Sequence, residues 1–147
     1  MKRILFASLI TLSVVISLFG CSNSSDVGDV DVDIDLSELS MTMMQAEYQR
    51  IFSNAEEHIG KTIKVYGSYY TMQIDNAGNI AHFVIVIPGD ACCQLGFEFK
   101  RDDGSVFPDD YPVQNSMILI TGTLDVYEQF GASYIYIDVD EFTIANS

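Results

Sequence analysis

Between Lys61 and Ala145 the chain is written in alternation, apolar against polar, in runs that end on turn-forming residues. "KTIKVYGSYYTMQI" sets Ile63, Val65, Gly67 and Tyr69 against Lys64, Tyr66 and Ser68, and stops at "DNAGN". "IAHFVIVIP" is nearly unbroken apolar sequence closed by Pro88 and Gly89, and "QLGFEFK" alternates again. A loop follows, "RDDGSVFPDDYPVQN", with two prolines and four aspartates. "SMILITGTLDVYEQ" and "SYIYIDVDEFTIA" are rich in β-branched and aromatic residues, and the "FGA" between them reads as a hairpin turn. Upstream the period changes. In "SMTMMQAEYQRIFSNAEEHIG" the residues Met44, Tyr48, Ile51, Phe52 and Ala55 fall at three- and four-residue steps, one face of a helix with Ser40 as N-cap and Gly60 as stop. The pattern predicts a mainly β domain over residues 41–147, a small five-stranded antiparallel barrel behind one N-terminal helix. Gly67 and Gly122 fall inside strands, where a small barrel needs a bend or a bulge.

The first stretch, "MKRILFASLITLSVVISLFGC", obeys neither period. Two cations, Lys2 and Arg3, precede an apolar run from Ile4 to Phe19, and Gly20 precedes Cys21. These are the n-region, h-region and processing site of a secretory signal, and the apolar run is short for a membrane span. "LFGC" resembles a bacterial lipobox, which implies a signal peptide over residues 1–20 and lipid on the thiol of Cys21. A chain so processed is extracytoplasmic and held to a bacterial membrane by its acyl groups.

Processing changes the charge. Removing residues 1–20 from the 147-residue chain leaves 127, enough for one domain with a core. Loss of Lys2 and Arg3 takes seven cations to five against 21 acids, and the formal charge from −14 to −16. Such a surface repels phosphate backbones, which argues against nucleic acid as a partner.

Residues 21–40 contain "SNSSDVGDVDVDIDLSELS". Asp29, Asp31, Asp33 and Asp35 invite a calcium reading, but an EF-hand needs Gly at its sixth position and Glu at its twelfth, and counting from Asp29 gives Ile34 and Ser40. The stretch reads as an acidic, flexible tether.

"HIGKTIKVYGSYY", "HFVIVI" leading into "ACCQLGFEF", "ILITGTLDVYE" and "YIYIDVDEFTI" together resemble an OB-fold barrel. They are similar in particular to the C-terminal extracytoplasmic domain of the bacterial membrane permease complex subunit family. There a "GKKVEVEG"-like first strand is followed by a paired cysteine and a "VKVTGTL"-like fourth strand. The resemblance covers Ile59 to Ile144. It implies an OB-like fold and an envelope or permease-complex protein as partner, with the lipid anchor standing where that family has a membrane-spanning part.

Six tyrosines, Tyr66, Tyr69, Tyr70, Tyr127, Tyr134 and Tyr136, are candidates for the stacking surface by which many OB barrels bind their ligands. Packing in the core and at its rim is the reading that accounts for most of them. Stacking on nucleic acid also needs a cationic groove, and this composition does not provide one.

Lipidation of Cys21 leaves Cys92 and Cys93 as the thiols. Adjacent Cα atoms lie about 3.8 Å apart, below the about 4.4 to 6.8 Å usual for a disulfide, so a bridge between them is strained and easily reduced. The same thiolates, joined by His82 and Asp90, offer a sulfur, nitrogen and oxygen set that zinc accepts. A reduced pair that only fills space is the third state open to them.

No nucleophile elbow and no Gly-rich phosphate loop occurs. Asp102, Asp103, Asp109 and Asp110 read as solvated loop acids, and no acid and base pair is positioned by the spacing. The sequence therefore points to a non-catalytic binding or accessory module of the cell envelope. Zinc handling through Cys92 and Cys93 is the alternative, and thiol redox chemistry a third reading that lacks a CxxC motif.

Overall fold

The computed structural model describes residues 31–87 and 94–145. In chain order the elements are β1 (Ile34–Asp35), α1 (Met41–Ser53), a 3₁₀ turn (Ala55–Glu57), β2 (Thr62–Gln73), β3 (Ile80–Ile87), β4 (Leu95–Arg101), β5 (Met117–Gln129) and β6 (Ala132–Ile144). The fold is mainly β, one helix beside a six-stranded mixed sheet in the order β1-β2-β3-β4-β6-β5. β2 also pairs with β5, so the five long strands form a continuous circuit of pairings.

Two details differ from the five antiparallel strands expected. β1 is a sixth strand, parallel to β2, with Ile34 opposite Ile63. β4 and β6 are also parallel, Glu98 opposite Tyr136 and Arg101 opposite Val139. β5 lies on the far side of β6 and closes onto β2, so β6 returns along β4 in the same direction. Alternation reports which residues face the core but carries no information on strand direction.

β2 reaches three partners because it is long and turns at Gly67: Thr62–Ser68 pair with β5, and Ser68–Gln73 pair with β3. A Cβ on Gly67 would lie 2.3 Å from the Ile85 carbonyl oxygen, and one on Gly122 would lie 2.1 Å from that of Asp138. The β5–β6 register shifts between Thr121 and Gly122, where a bulge bends the strand. Gly67 and Gly122 therefore mark close backbone approach, and Gly122 also the bulge expected of an in-strand glycine.

The core takes one residue in two from the strands: Ile63, Val65 and Tyr69 of β2, Val84 and Val86 of β3, Phe97 and Phe99 of β4, Ile118, Ile120 and Leu124 of β5, and Ile137 of β6. Met44 and Ile51 of α1 and Ile34 and Leu36 from the start of the domain join it, while Tyr48 packs at its edge and stacks on Phe52 at 4.3 Å. The helix stops at Ser53, before the Gly60 expected to end it, because Asn54 leaves helical geometry at φ −134°. His58 then fixes the corner. Its Nδ1–H donates to the Asn54 carbonyl, and its Nε2 accepts from the Arg50 guanidinium, which cannot itself accept.

The domain also begins earlier than residue 41. Ile34 and Leu36 are buried, the Leu36 amide donates to the Lys64 carbonyl, and the Thr62 amide donates to Asp33. The alternation of Val and Ile with Asp in the assigned tether thus contains a short strand, Ile34–Asp35, with one face in the core. Its acids conceal it: Asp33 and Asp35 face outward, as they would in a solvated linker.

Candidate functional site

The sequence nominated residues in four regions. Cys21, Asp90, Cys92 and Cys93 lie outside the described residues. His82 lies on β3 within an aromatic stack, with its ring 4.2 Å from Tyr111 and 5.4 Å from Phe107. Its Nδ1 is 2.8 Å from the Tyr69 hydroxyl. Burial, with Arg101 close by, holds the imidazole below its usual pKa, which favours the neutral ring as partner of the tyrosine hydroxyl. Among the described residues, no three His, Cys, Asp or Glu side chains converge to hold a metal.

The six tyrosines do not share one surface. Tyr69 is buried in the core, so its place among candidate binding residues is corrected. Tyr66 and Tyr70 are exposed on β2, whose alternate residues turn outward. Tyr127, Tyr134 and Tyr136 do come together, on the outer side of β5 and β6. Tyr127 and Tyr134 are cross-strand partners with rings stacked at 5.4 Å. Tyr136 meets Tyr127 edge-on at 5.8 Å.

Lys100, which sequence reasoning did not select, sits at the middle of this cluster. Its Nζ is 3.9 Å from the centre of the Tyr127 ring and 3.8 Å from that of Tyr136, a cation held between two π faces. The Tyr127 hydroxyl donates to Glu98 at 2.7 Å, and that of Tyr136 donates to Asp125 at 3.2 Å. Burial and the adjacent carboxylates raise both tyrosine pKa values, which keeps the phenols protonated as donors. Outward alternation of Glu98 and Lys100 was readable in "QLGFEFK". What brings them under the tyrosines is the parallel pairing of β4 with β6, which pattern alone does not give.

Two hairpins frame this face. Ile74 and Ile80 at the β2–β3 turn stand across from Tyr127, Glu128 and Gln129 at the β5–β6 turn, and Glu98 and Lys100 form the floor of the groove between them. At the β5–β6 tip Phe130 and Gly131 both have positive φ, 53° and 77°, as a type I′ turn requires. Phe130 is 88% exposed there.

No family model and no curated protein sequence matches this chain.

A second hollow adjoins the first. β4 and β6 pair only from Glu98 and Tyr136 onward, and where their earlier residues splay apart a cavity of about 360 Å³ opens beside α1. Tyr48, Phe52, Phe83 and Tyr134 supply its aromatic walls. The four loop aspartates are placed elsewhere, between β4 and β5. Asp103 pairs with Arg101, and Asp110 accepts from the Val106 amide, so two of the four pin the loop.

Proposed function

We propose that this chain is a non-catalytic binding module of the bacterial cell envelope, an OB-like barrel anchored outside the membrane by lipid at Cys21. The observation that carries the binding role is the face formed by Lys100, Tyr127, Tyr134 and Tyr136 between two hairpins. OB barrels use the corresponding hairpins, between their first and second and their fourth and fifth strands, to hold ligands. The circuit of pairings in which β2 meets both β3 and β5 supports a barrel of this type. Phe130 supports the same face: a large apolar side chain stands in solvent at a backbone position that suits Asn or Gly better. The partner is a protein of the envelope, in keeping with the resemblance to permease-complex domains, and its contacting surface is apolar or cationic because this chain carries 21 acids against seven cations.

The test has two arms. Cells fed an alkynyl fatty acid label the wild-type chain, and Cys21→Ala abolishes the label and releases the chain from the membrane fraction. A photo-crosslinker at position 134 gives a discrete protein adduct in those cells, and one at Thr143, at the other end of β6, does not. Adducts of equal yield from both positions would reject this face as the interface.

A further inference from the structure

The cavity where β4 and β6 splay apart carries chemistry of its own, and we infer that it binds a small organic ammonium ion. The inference rests on the reading above only in taking this side of the sheet as the working face, since Tyr134 and Glu98 border both hollows.

The walls set the ligand class by what they offer. Tyr48, Phe52, Phe83 and Tyr134 present four aromatic rings, and Glu98 is the one ionisable acid in the lining, with no Lys, Arg or His beside it. A volume of about 360 Å³ suits a small ligand. Two of the three hydroxyl hydrogens of the lining are already committed. Tyr48 donates to the Gly96 carbonyl at 3.1 Å, and Ser133 donates to Glu128. What remains is the Tyr134 hydroxyl, acceptor capacity and π surface. Glu98 takes one hydrogen bond from Tyr127, where a carboxylate can accept about four. Neither of the two ion pairs among the described residues includes Glu98.

An anion would meet Glu98 with no cation in the lining to offset it, since Lys100 faces the neighbouring groove between Tyr127 and Tyr136. A sugar would need donors for its hydroxyl oxygens, and two lining hydroxyls have spent theirs. A neutral apolar ligand would desolvate a carboxylate without compensation. An alkylated ammonium satisfies every wall: its charge faces Glu98 and its substituents lie on the rings. The molecule holds an internal example a few residues away, where the Lys100 ammonium rests between Tyr127 and Tyr136. The acidity of the whole chain raises the local concentration of such a cation at the mouth.

The experiment is a calorimetric titration of the full chain with choline and, separately, with 3,3-dimethylbutan-1-ol, its uncharged isostere, at physiological salt. Choline should bind saturably at one site, about tenfold more tightly than the alcohol. Glu98→Gln, which keeps an acceptor for Tyr127, should weaken choline about tenfold and leave the alcohol unchanged. Tyr134→Ala, at an exposed position, should weaken choline whether or not the Gln variant folds well. No saturable choline heat, equal affinity for the two ligands, or choline binding indifferent to both substitutions would each overturn the proposal. Loss of choline binding with the position-134 crosslink intact would reject the ammonium site and leave the binding module standing.

Discussion

The Tyr69 hydroxyl lies 2.8 Å from Nδ1 of His82, and the two rings stack at 6.0 Å, with Tyr111 packed against both at 4.2 Å from the imidazole and 6.1 Å from the Tyr69 ring. The contact joins β2 to β3. Burial, then the nearby Arg101 charge, lowers the His82 pKa from its ordinary value near 6.5. Below that value the unfolded chain binds a proton that the folded chain resists, so stability falls as the pH drops. Thermal unfolding followed between pH 8 and pH 5 should show Tm constant above about 6.5 and declining below it. His82→Gln should flatten that decline while leaving the acid limb due to carboxylates at lower pH. An unchanged profile in the variant would mean that His82 is solvated as both charged and neutral ring.

Removal of the Tyr69 hydroxyl tests the same pair from the other side. Tyr69→Phe keeps the ring in the core and leaves His82 Nδ1 without its donor. A loss of about 1–2 kcal/mol in denaturant unfolding is expected. A loss within error would show that the stacked rings alone hold the imidazole.

Gly122 is where β5 and β6 approach too closely for any side chain. A Cβ there would lie 2.1 Å from the Asp138 carbonyl oxygen and 2.9 Å from Ile137 Cγ2. Backbone must move to admit it. Gly122→Ala should destabilise by about 1–3 kcal/mol, against a near-neutral change at Ala132, an exposed hairpin residue, when it is replaced by Ser. A Gly122→Ala chain as stable as wild type would mean that the bulge at Thr121 and Gly122 can relax.

The strand boundaries, the inward residues and the bend glycines were legible because each follows from a two-residue period that burial enforces. Ile63 and Val65, which the alternation set on one face of β2, are core residues on that basis. The candidate face was legible only in part. Tyr127, Tyr134 and Tyr136 stood out by type, but Tyr69 shares that type and faces inward, and Lys100 gave no signal until β4 was known to lie beside β6. Parallel pairing is a property of topology, and a strand's sequence records its faces and not its neighbours. The short β1 was masked for a related reason: two paired residues are too few for a period, and the outward aspartates outweighed Ile34 and Leu36.

Leu36 shows what that short strand contributes. It is fully buried although it lies among acids and serines, and its amide holds the edge of β2 through Lys64. Leu36→Ala should cost about 2–5 kcal/mol, while Asp31→Ala, at an exposed position, should change stability little. Equal, small effects at both positions would return residues 31–40 to the tether.

Phe130 separates stability from binding. At φ 53° its backbone occupies the left-handed region, which Asn adopts at lower cost, and its ring is 88% exposed. Nothing in the fold recovers that cost, because the side chain is not packed into the core. Phe130→Asn should therefore raise stability by about 1 kcal/mol. If the tip exists to meet a partner, the same substitution should reduce the crosslink formed from position 134, because one exposed aromatic anchor can dominate an interface. A variant that is more stable and crosslinks as well as wild type would remove the hairpin tip from the proposed interface. A variant that is less stable would show that Phe130 packs in solution in a way its exposure does not suggest. The choline titration of this variant should match wild type, since Phe130 does not line the cavity beside α1.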